Sequence, residues 1–281
     1  MPIPEYVSLN GEIVRADAAR VCVLTPALLH SFGVYESVRV EQGVAFHLDD
    51  HLQRLANSAA RIELELPAPP EVINSWVEPL LTRAGVTHCL LRIVALGPTP
   101  GNGPLCALWP QEPPHYPPVL YERGVELITV QGVRYLPQAK SLNTLLNFLA
   151  RREARRQGVH EALLHQGDVV TEGASSNFFV VRAGRLLTAP VEMVLPGVTR
   201  ALVLRLAQEA SIPTEERPLS LSEREAWQEA FITSTSRKVL PVTRLDGQPV
   251  GDGRVGPLTR RLMDIFAAYD RQYLASRSES Q

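Results

Sequence analysis

The chain has 281 residues, of which 45% are hydrophobic and 21% charged, and its formal net charge is −2. This composition is typical of an ordinary globular protein, and the balanced charge gives no reason to expect nucleic-acid binding. No apolar run is long enough to predict a membrane span. The three cysteines stand in apolar runs, so we expect buried side chains without disulfides in a reducing cytoplasm. The seven histidines show no ligand spacing, so we expect no metal site.

The N-terminal part of the chain mixes predicted strands and helices. Alternating side chains predict a strand over residues 34–40 that turns Tyr35 and Arg39 to one face. Gly43 marks a hairpin turn directly after this strand. The further elements predicted here are a helix capped by Asp49-Asp50, a helix over about 72–83 that ends at Gly85, and a buried strand over 90–96.

A proline-rich segment divides the chain. Five prolines occur in the nine residues 110–118, where neither a helix nor a central strand is expected. We interpret this segment as an extended linker. The predicted parts are a small α/β N-terminal domain over residues 1–112, a linker over 113–120 and a larger C-terminal domain over 121–281.

The C-terminal part begins with a predicted strand near 125–130, followed by an amphipathic helix over 141–157 that ends at Gly158. The leucines expected to face inward from this helix are Leu142, Leu145, Leu146 and Leu149. Shorter strands are predicted over 161–164, 169–171, 178–181, 186–187 and 230–233, and further helices over about 198–210 and 258–273.

Only two of the 28 basic residues are lysines, Lys140 and Lys238. A lysine that persists among so many arginines is a candidate for the one role that a guanidinium cannot take, the formation of a Schiff base. Chance survival in an arginine-rich sequence is the alternative. The residues around Lys140 favour the functional interpretation, and we expect Lys238 to be structural or exposed.

Five short motifs follow one another along the chain. They are Val34-Tyr35-Glu36, His51-Leu52-Gln53-Arg54-Leu55, Lys140-Ser141-Leu142-Asn143, Thr171-Glu172-Gly173-Ala174-Ser175-Ser176-Asn177 and Leu195-Pro196-Gly197-Val198-Thr199-Arg200. In this order the chain resembles the fold-type IV pyridoxal-phosphate enzymes, which include branched-chain aminotransferases, D-amino-acid aminotransferases and aminodeoxychorismate lyases. The resemblance implies a two-lobed α/β (α+β) fold, whose small N-terminal domain is α/β and whose larger C-terminal domain has a β-barrel-like core.

The resemblance implies pyridoxal 5'-phosphate as the cofactor and assigns roles to two residues. Lys140 would hold the cofactor aldehyde as a Schiff base and later carry the proton between the substrate and the cofactor. Glu172 would lie against the pyridine nitrogen and keep the ring protonated. The small residues that follow Glu172 suit a close approach to a flat ring.

The cofactor phosphate needs hydrogen-bond donors, and three places in the chain supply them. Thr199 stands at the start of a predicted helix, and a helix N-terminus binds anions. The residues from Thr233 onward supply four hydroxyls, and Arg54 adds a charged fork of donors. The resemblance assigns cofactor contacts to Arg54, Lys140, Glu172, Ser176, Asn177, Leu195, Gly197, Val198, Thr199, Ser234 and Thr235.

The family motifs identify the substrate-binding residues less directly than the cofactor-binding residues. The D-amino-acid enzymes carry an Arg-x-His pair after the strand that corresponds to residues 90–96, and this chain has neither residue there. Arg39 and Arg92 match arginines of the branched-chain enzymes, and either could bind a carboxylate. The residues assigned to the substrate are Tyr35, Arg39, Arg92 and Ser236.

Three functions are compatible with these residues. The first is an aminotransferase that moves an amino group between a branched-chain L- or D-amino acid and a 2-oxo acid. The second is a lyase that forms 4-aminobenzoate and pyruvate from aminodeoxychorismate. The third, a catalytically silent cofactor carrier, fits poorly with the complete set of Lys140, Glu172 and phosphate donors.

The resemblance also implies a homodimer, in which a loop of the first lobe reaches the active site of the neighbour. The candidate loop covers residues 97–104, which are rich in Gly and Pro and carry no charge. A loop of this composition is suited to lie against another surface. A simple surface turn is the alternative.

Overall fold

The computed structural model describes residues 4–98 and 103–278. The chain divides into two compact units: unit 1 comprises residues 1–114, 139–143 and 272–281, and unit 2 comprises residues 115–138 and 144–271. The short segment around Lys140 therefore belongs to unit 1, although the residues on both sides of it belong to unit 2. The predicted linker and domain boundaries at 112 and 121 stay a prediction.

Within the described residues, unit 1 contains a six-stranded sheet covered by helices. In chain order its elements are β1 (Tyr6–Leu9), β2 (Glu12–Arg15), α1 (Pro26–His30), β3 (Gly33–Glu41), β4 (Val44–Ala45), α2 (Leu48–Arg61), α3 (Pro70–Ser75), α4 (Val77–Ala84), β5 (Cys89–Leu96) and β6 (Leu105–Gln111). The strand order is β2-β1-β6-β5-β3-β4, with antiparallel pairing throughout. The predicted strand over 34–40 is confirmed as part of β3, and that over 90–96 as part of β5.

One face of this sheet packs against the helices and forms the core of unit 1. Val34, Val38 and Leu91 from the strands are fully buried together with Leu52 and Leu55 from α2. Helix α2 presents these leucines because they recur at helical spacing. Its start differs from the prediction: the N-cap residue is His47. The two aspartates instead occupy the first turn, where a negative charge favours a helix N-terminus.

Strand β6 corrects the predicted start of the proline-rich segment, because it continues through Pro110 to Gln111. Pro110 pairs with Leu91 of β5, whereas β1 pairs with β6 only at Ala107 and Leu108. On the β1 side, the missing N–H of Pro110 therefore costs no ladder hydrogen bond. The cysteine prediction also needs a correction, since Cys22 is exposed while the other two cysteines are buried.

Unit 2 contains a ten-stranded sheet and its covering helices. In chain order its elements are α5 (Val119–Arg123), β7 (Val125–Gln131), α6 (Leu145–Arg156), β8 (Glu161–Gln166), β9 (Val169–Gly173), β10 (Asn177–Arg182), β11 (Arg185–Thr188), α7 (Val198–Glu209), β12 (Thr214–Glu216), β13 (Leu219–Ser220), β14 (Glu229–Ser234), β15 (Lys238–Leu245), β16 (Gln248–Pro249) and α8 (Pro257–Ser278). The order is β12-β11-β10-β14-β15-β7-β8-β9-β13, and β16 pairs with β15. The residues of α8 from Gln272 onward belong to unit 1.

The sheet of unit 2 curls into a half-barrel. Strands β9 and β10 are consecutive in the chain but lie five strand positions apart in the sheet. Neighbouring strands are about 4.8 Å apart, so a flat sheet would separate these two by about 24 Å. The four residue steps from Gly173 to Asn177 span at most about 14 Å. Because the chain must bridge that gap, the sheet has to curl, which confirms the predicted barrel-like core.

The predicted helix over 141–157 begins later than expected, at Leu145. Two of the leucines expected to face inward are exposed: Leu145 by 65% and Leu149 by 40%. The side of α6 that packs inward carries Ala150 and Ala154. Leu146 packs against the same core, as predicted. The helix is amphipathic, but its inward side carries Leu146, Ala150 and Ala154 rather than Leu145 and Leu149.

Candidate active site

The segment around Lys140 pairs with β3 through an isolated antiparallel bridge between Val34 and Ser141. The backbone N–H of Tyr35 donates to the carbonyl of Lys140 at 2.9 Å, and that of Leu142 donates to the carbonyl of Gly33 at 2.9 Å. A Cβ atom at Gly33 would lie 2.7 Å from the backbone carbonyl oxygen of Ala95, which cannot move aside as a flexible side chain could, so this position requires glycine. The N–H of Lys140 donates to Ser58 Oγ at 3.0 Å. The backbone of Lys140 is therefore held on both sides.

The side chain of Lys140 lies on the same face of unit 1 as two predicted substrate residues. Its Nζ lies 4.6 Å from the ring centroid of Tyr35, within the range of a cation–π contact. The guanidinium of Arg92 lies 5.4 Å from the same centroid and donates to Ser37 Oγ. The structure thus brings Lys140, Tyr35 and Arg92 together.

Arg39, the third predicted substrate residue of unit 1, is buried and already has contacts. Its Nη1 lies 2.5 Å from Glu41 Oε2, and its guanidinium stacks 4.2 Å from the ring centroid of Phe46. An arginine in these surroundings stabilises the hairpin between β3 and β4. Arg39 is therefore a weaker candidate for a substrate carboxylate than Arg92.

Arg54 belongs to a buried polar cluster with Glu36 and His51. Its Nε and Nη2 each lie 2.7 Å from a carboxylate oxygen of Glu36, which makes the pair bidentate. His51 Nδ1 lies 2.8 Å from Glu36 Oε2. Helix α2 places His51 and Arg54 three residues apart, on the same face as Ser58. One helix therefore orients both the predicted phosphate arginine and the backbone of Lys140.

The pKa values in this cluster are displaced. Burial lowers the pKa of His51, against the opposing pull of Glu36. Burial raises the pKa of Glu36, but the charge of Arg54 and the contact with His51 outweigh this and hold it well below its ordinary value. The structure therefore contains a charged Glu36–Arg54 pair next to a neutral imidazole.

In unit 2, Glu172 stands near the end of β9 with its carboxylate buried. Its Oε2 accepts from the backbone N–H of Leu195 at 3.0 Å and lies 3.5 Å from Asn177 Nδ2. Arg134 Nη1 lies 3.4 Å from Glu172 Oε1. Both carboxylate oxygens of Glu172 therefore have hydrogen-bond donors within the folded unit. Sequence analysis assigned no role to Arg134, because only the tertiary structure brings it to Glu172.

The predicted residues at the start of α7 lie beside Asn177. Asn177 Nδ2 donates to the carbonyl of Leu195 at 2.9 Å. Gly197 is the N-cap residue, and a Cβ there would lie 2.0 Å from Asn177 Oδ1. Val198 and the buried Thr199 follow in the first turn. Helix N-termini leave backbone N–H groups unpaired, so this cradle suits a phosphate.

The hydroxyl-rich turn joins β14 to β15 in the same unit. Ser234, Thr235 and Ser236 are all partly buried. Ser234 Oγ accepts from the backbone N–H of Arg237 at 3.3 Å, and Ser236 Oγ lies 3.5 Å from the hydroxyl of Tyr116. Residue Asn177 pairs with Thr233 in the sheet. The predicted cofactor residues of unit 2 therefore converge on the start of β10.

Ser176 contacts Glu161, a residue for which the sequence predicted no role. Its Oγ donates to Glu161 Oε2 at 3.2 Å, and Glu161 is completely buried at the start of β8. Arg237 Nη1 lies 2.9 Å from the same carboxylate oxygen. The sequence carries no local signal for this pair, because its members are far apart in the chain.

The second lysine has a structural partner. Lys238 Nζ lies 2.6 Å from Asp270 Oδ2 of α8, within unit 2. In the parts of the chain that the structure describes, no cluster of His, Cys, Asp and Glu could hold a metal ion, and no helix is long and apolar enough to cross a membrane. The predicted partner-reaching loop at 97–104 includes residues 99–102, which lie outside the described residues.

The sequence has relatives of known function. The family described as Amino-transferase class IV matches residues 33–245. A D-alanine aminotransferase of Staphylococcus epidermidis is 34% identical over 277 residues, an alignment that covers 94% of this chain and 97% of the relative. Similarity on this scale extends far beyond the short motifs.

The fold has solved counterparts as well. The branched-chain amino acid aminotransferase of Escherichia coli matches with a TM-score of 0.87 and 27% identity, covering 94% of each chain. The T.th. branched-chain amino acid aminotransferase, solved with pyridoxamine 5'-phosphate, matches with a TM-score of 0.87 and 28% identity, covering 94% of this chain and 93% of that one. This chain therefore belongs to the class IV aminotransferases, a family that transfers amino groups with pyridoxal phosphate.

Proposed function

We propose that Lys140 and Glu172 are the residues with which this aminotransferase uses pyridoxal phosphate, and that its donor is a small D-amino acid or a branched-chain L-amino acid. The observation that carries the proposal is the placement of Lys140. This lysine has its backbone pinned to Tyr35 and Ser58 and its amine over the Tyr35 ring, whereas Lys238 is bound to Asp270.

The side chains present fit the cofactor. Pyridoxal phosphate, when bound, supplies an aldehyde that condenses with amines and a ring that accepts the electrons released at the substrate's alpha carbon. Lys140 supplies the amine and, at Nζ, the base that carries a proton to and from that carbon. Glu172 supplies a buried carboxylate for the ring nitrogen, and Leu195 and Arg134 hold it in place.

The phosphate has donors at the start of α7. We assign it to the backbone N–H groups of Val198 and Thr199 and to the Thr199 hydroxyl, with Ser234 and Thr235 as further donors. Gly197 supports this assignment, since any larger residue would collide with Asn177. Arg54 is proposed as a further hydrogen-bond donor to the phosphate, and its bidentate contact with Glu36 fixes the direction of its guanidinium.

The substrate carboxylate needs a cation near Lys140, and Arg92 meets that requirement. The Arg92 guanidinium and the Lys140 amine both lie near the Tyr35 ring. Two amine donors are consistent with the relatives, since one is named a D-alanine aminotransferase and others are branched-chain aminotransferases. We propose Arg92 as the carboxylate ligand, with Ser236 as a second contact and Arg39 as a structural residue.

Half-reaction spectroscopy tests this function directly. The purified protein is loaded with pyridoxal phosphate and mixed with single L- and D-amino acids in the absence of an oxo acid. We expect D-alanine or a branched-chain L-amino acid to convert the visible cofactor band into a pyridoxamine band, which a 2-oxo acid then restores. Release of pyruvate from aminodeoxychorismate without an oxo acid would establish the lyase reaction instead.

We also propose that the enzyme is a homodimer. The support is an apolar segment of unit 1 at residues 21–29, where Leu24 is 70% and Leu29 73% exposed. Leucines so exposed and so close together mark a surface that another protein covers. Since dimers with two-fold symmetry are the commonest assemblies, a second copy of this chain is the proposed partner.

A further inference from the structure

The geometry points to Glu161 and Arg237 as a positioning pair that holds two cofactor-binding turns of unit 2 in register; this inference rests on the proposed function. The first turn, residues 174–176, follows Glu172. The second turn, residues 235–237, carries the proposed hydroxyl donors. Neither residue of the pair is assigned to the cofactor itself.

The Glu161 carboxylate accepts hydrogen bonds from the first turn. Its Oε1 accepts from the backbone N–H of Ser175 at 2.5 Å and from the Ser175 hydroxyl at 2.8 Å. Its Oε2 accepts from the Ser176 hydroxyl at 3.2 Å. Since the Glu161 carboxylate is completely buried, these hydrogen bonds replace the ones that it would form with water. The direction in which the chain leaves Glu172 is thereby fixed.

Arg237 connects the second turn to Glu161 and to the first turn. Its Nη1 lies 2.9 Å from Glu161 Oε2 and donates to Ser175 Oγ at 3.1 Å. The backbone N–H of Arg237 donates to Ser234 Oγ, and its carbonyl accepts from the Tyr121 hydroxyl at 3.1 Å. Both the backbone and the guanidinium of Arg237 are therefore held. The ion pair with Glu161 then couples the movement of one turn to that of the other.

The charge balance explains why the pair must act as a unit. A buried carboxylate that loses its cation, or a buried guanidinium that loses its anion, bears an uncompensated desolvation cost. Removal of both charges relieves that cost. The side chain of Arg237 is only 11% exposed, so water does not substitute for Glu161. The double variant should therefore be less harmful than the worse single variant, whereas the effects of independent residues would add.

The test uses full-length Glu161→Gln, Arg237→Met, Arg237→Lys and Glu161→Gln/Arg237→Met proteins. We expect each of the neutral single variants to raise the dissociation constant of pyridoxal phosphate by about tenfold or more. They should also weaken the circular dichroism of the bound cofactor at saturation. Arg237→Lys should recover part of the affinity because it keeps the charge, and the double variant should bind better than the worse single variant.

The matched control is Arg244→Met, which removes an arginine from an exposed ion pair with Glu126 in the same unit. It should leave the cofactor affinity and the circular dichroism unchanged. Equal dissociation constants for the wild type and both neutral single variants would overturn the positioning role while leaving the proposed function intact.

Hydrogen exchange on the cofactor-free protein supplies a measurement that does not depend on the proposed function. We expect Arg237→Met to accelerate amide exchange in residues 173–177, and Glu161→Gln to accelerate it in residues 234–237. If Arg237→Met accelerates exchange only in residues 234–237 and Glu161→Gln only in residues 173–177, the two turns are not coupled. If the wild type binds no pyridoxal phosphate, the proposed function fails, and the exchange rates still decide whether the pair couples the turns.

Discussion

The amine of Lys140 lies over the aromatic ring of Tyr35, with Nζ 4.6 Å from the ring centroid. The backbones of the two residues are also joined, because the Tyr35 N–H donates to the Lys140 carbonyl. The distance in sequence between them is large, so the contact exists only because residues 139–143 run along the edge of β3. This relationship places an amine and, through Arg92, a guanidinium on one face of unit 1.

Borohydride reduction of the loaded protein is expected to fix the cofactor on Lys140. Lys238 is held by Asp270, so its amine is committed to an ion pair. Peptide mapping by mass spectrometry measures the modified site. Lys238→Met serves as the control and should still be labelled at Lys140. Labelling of Lys238 in the wild type would refute the assignment.

Glu172→Gln is expected to retain pyridoxal phosphate but to slow removal of the alpha proton on the order of a hundredfold, as when one preorganised electrostatic contact is lost. The amide keeps the size and the contact with Leu195 but removes the charge opposite the ring nitrogen. Stopped-flow spectroscopy with an alpha-deuterated donor measures this step. A wild-type rate would show that another group supports the ring.

Thr199→Ala is expected to weaken cofactor binding by about 1.5–3 kcal/mol if its hydroxyl binds a charged phosphate. Thermal stability without the cofactor should change little, because the helix retains Gly197 as its N-cap residue. Equilibrium titration with pyridoxal phosphate measures the affinity. Thr214→Ala, on a partly exposed strand of the same unit, is the control. Equal affinities for Thr199→Ala and the wild type would remove Thr199 from the phosphate site.

Arg54→Ala is expected to destabilise the fold itself by about 3–5 kcal/mol, because Glu36 would remain buried without its cation. This loss is expected because Glu36 is fully buried and makes two 2.7 Å contacts with Arg54. Chemical denaturation of the cofactor-free protein measures the loss. The exposed Arg83 on α4 provides a control in Arg83→Ala. A loss no larger than that of the control would contradict the proposed burial of the pair.

Acidification is expected to destabilise the protein through His51 and Glu36. Both groups have pKa values below their ordinary values in the folded chain, so the unfolded chain binds more protons. Stability should therefore fall as the pH drops below about 6.5 for His51 and further below about 4.3 for Glu36. Melting temperatures measured against pH should fall less steeply near pH ~6 for His51→Gln. The exposed His88 gives the control His88→Gln, and parallel curves for the wild type and His51→Gln would contradict the expectation.

Leu24→Glu combined with Leu29→Glu is expected to convert a dimer into a monomer. A charge at each of these exposed positions would be costly inside an interface and harmless in solvent. Sedimentation equilibrium measures the molecular mass. Val119→Glu, at an exposed valine of unit 2, is the control. A wild-type monomer, or an unchanged dimer in the double variant, would show that this surface is not the interface.

Much of the site could be predicted because its residues lie in short motifs. Lys140 stands out against the many arginines, and the motifs around Glu172 and Gly197 carry small residues that match close contacts in the structure. Partners across the chain could not be predicted in this way. Arg134 contacts Glu172, and Arg237 contacts Glu161, only in the folded unit 2.

The sequence by itself determined the family and, through that resemblance, the α/β fold class with its barrel-like core. Most element positions followed from hydrophobic periodicity, because motif order and periodicity are local properties of the chain. Only the tertiary structure decided which side of α6 faces inward, since Leu146, Ala150 and Ala154 pack against the core while Leu145 and Leu149 are exposed. It also decided that residues 139–143 join unit 1 and that Glu36 is the partner of Arg54. Burial and long-range pairing depend on the whole fold, which no local pattern encodes.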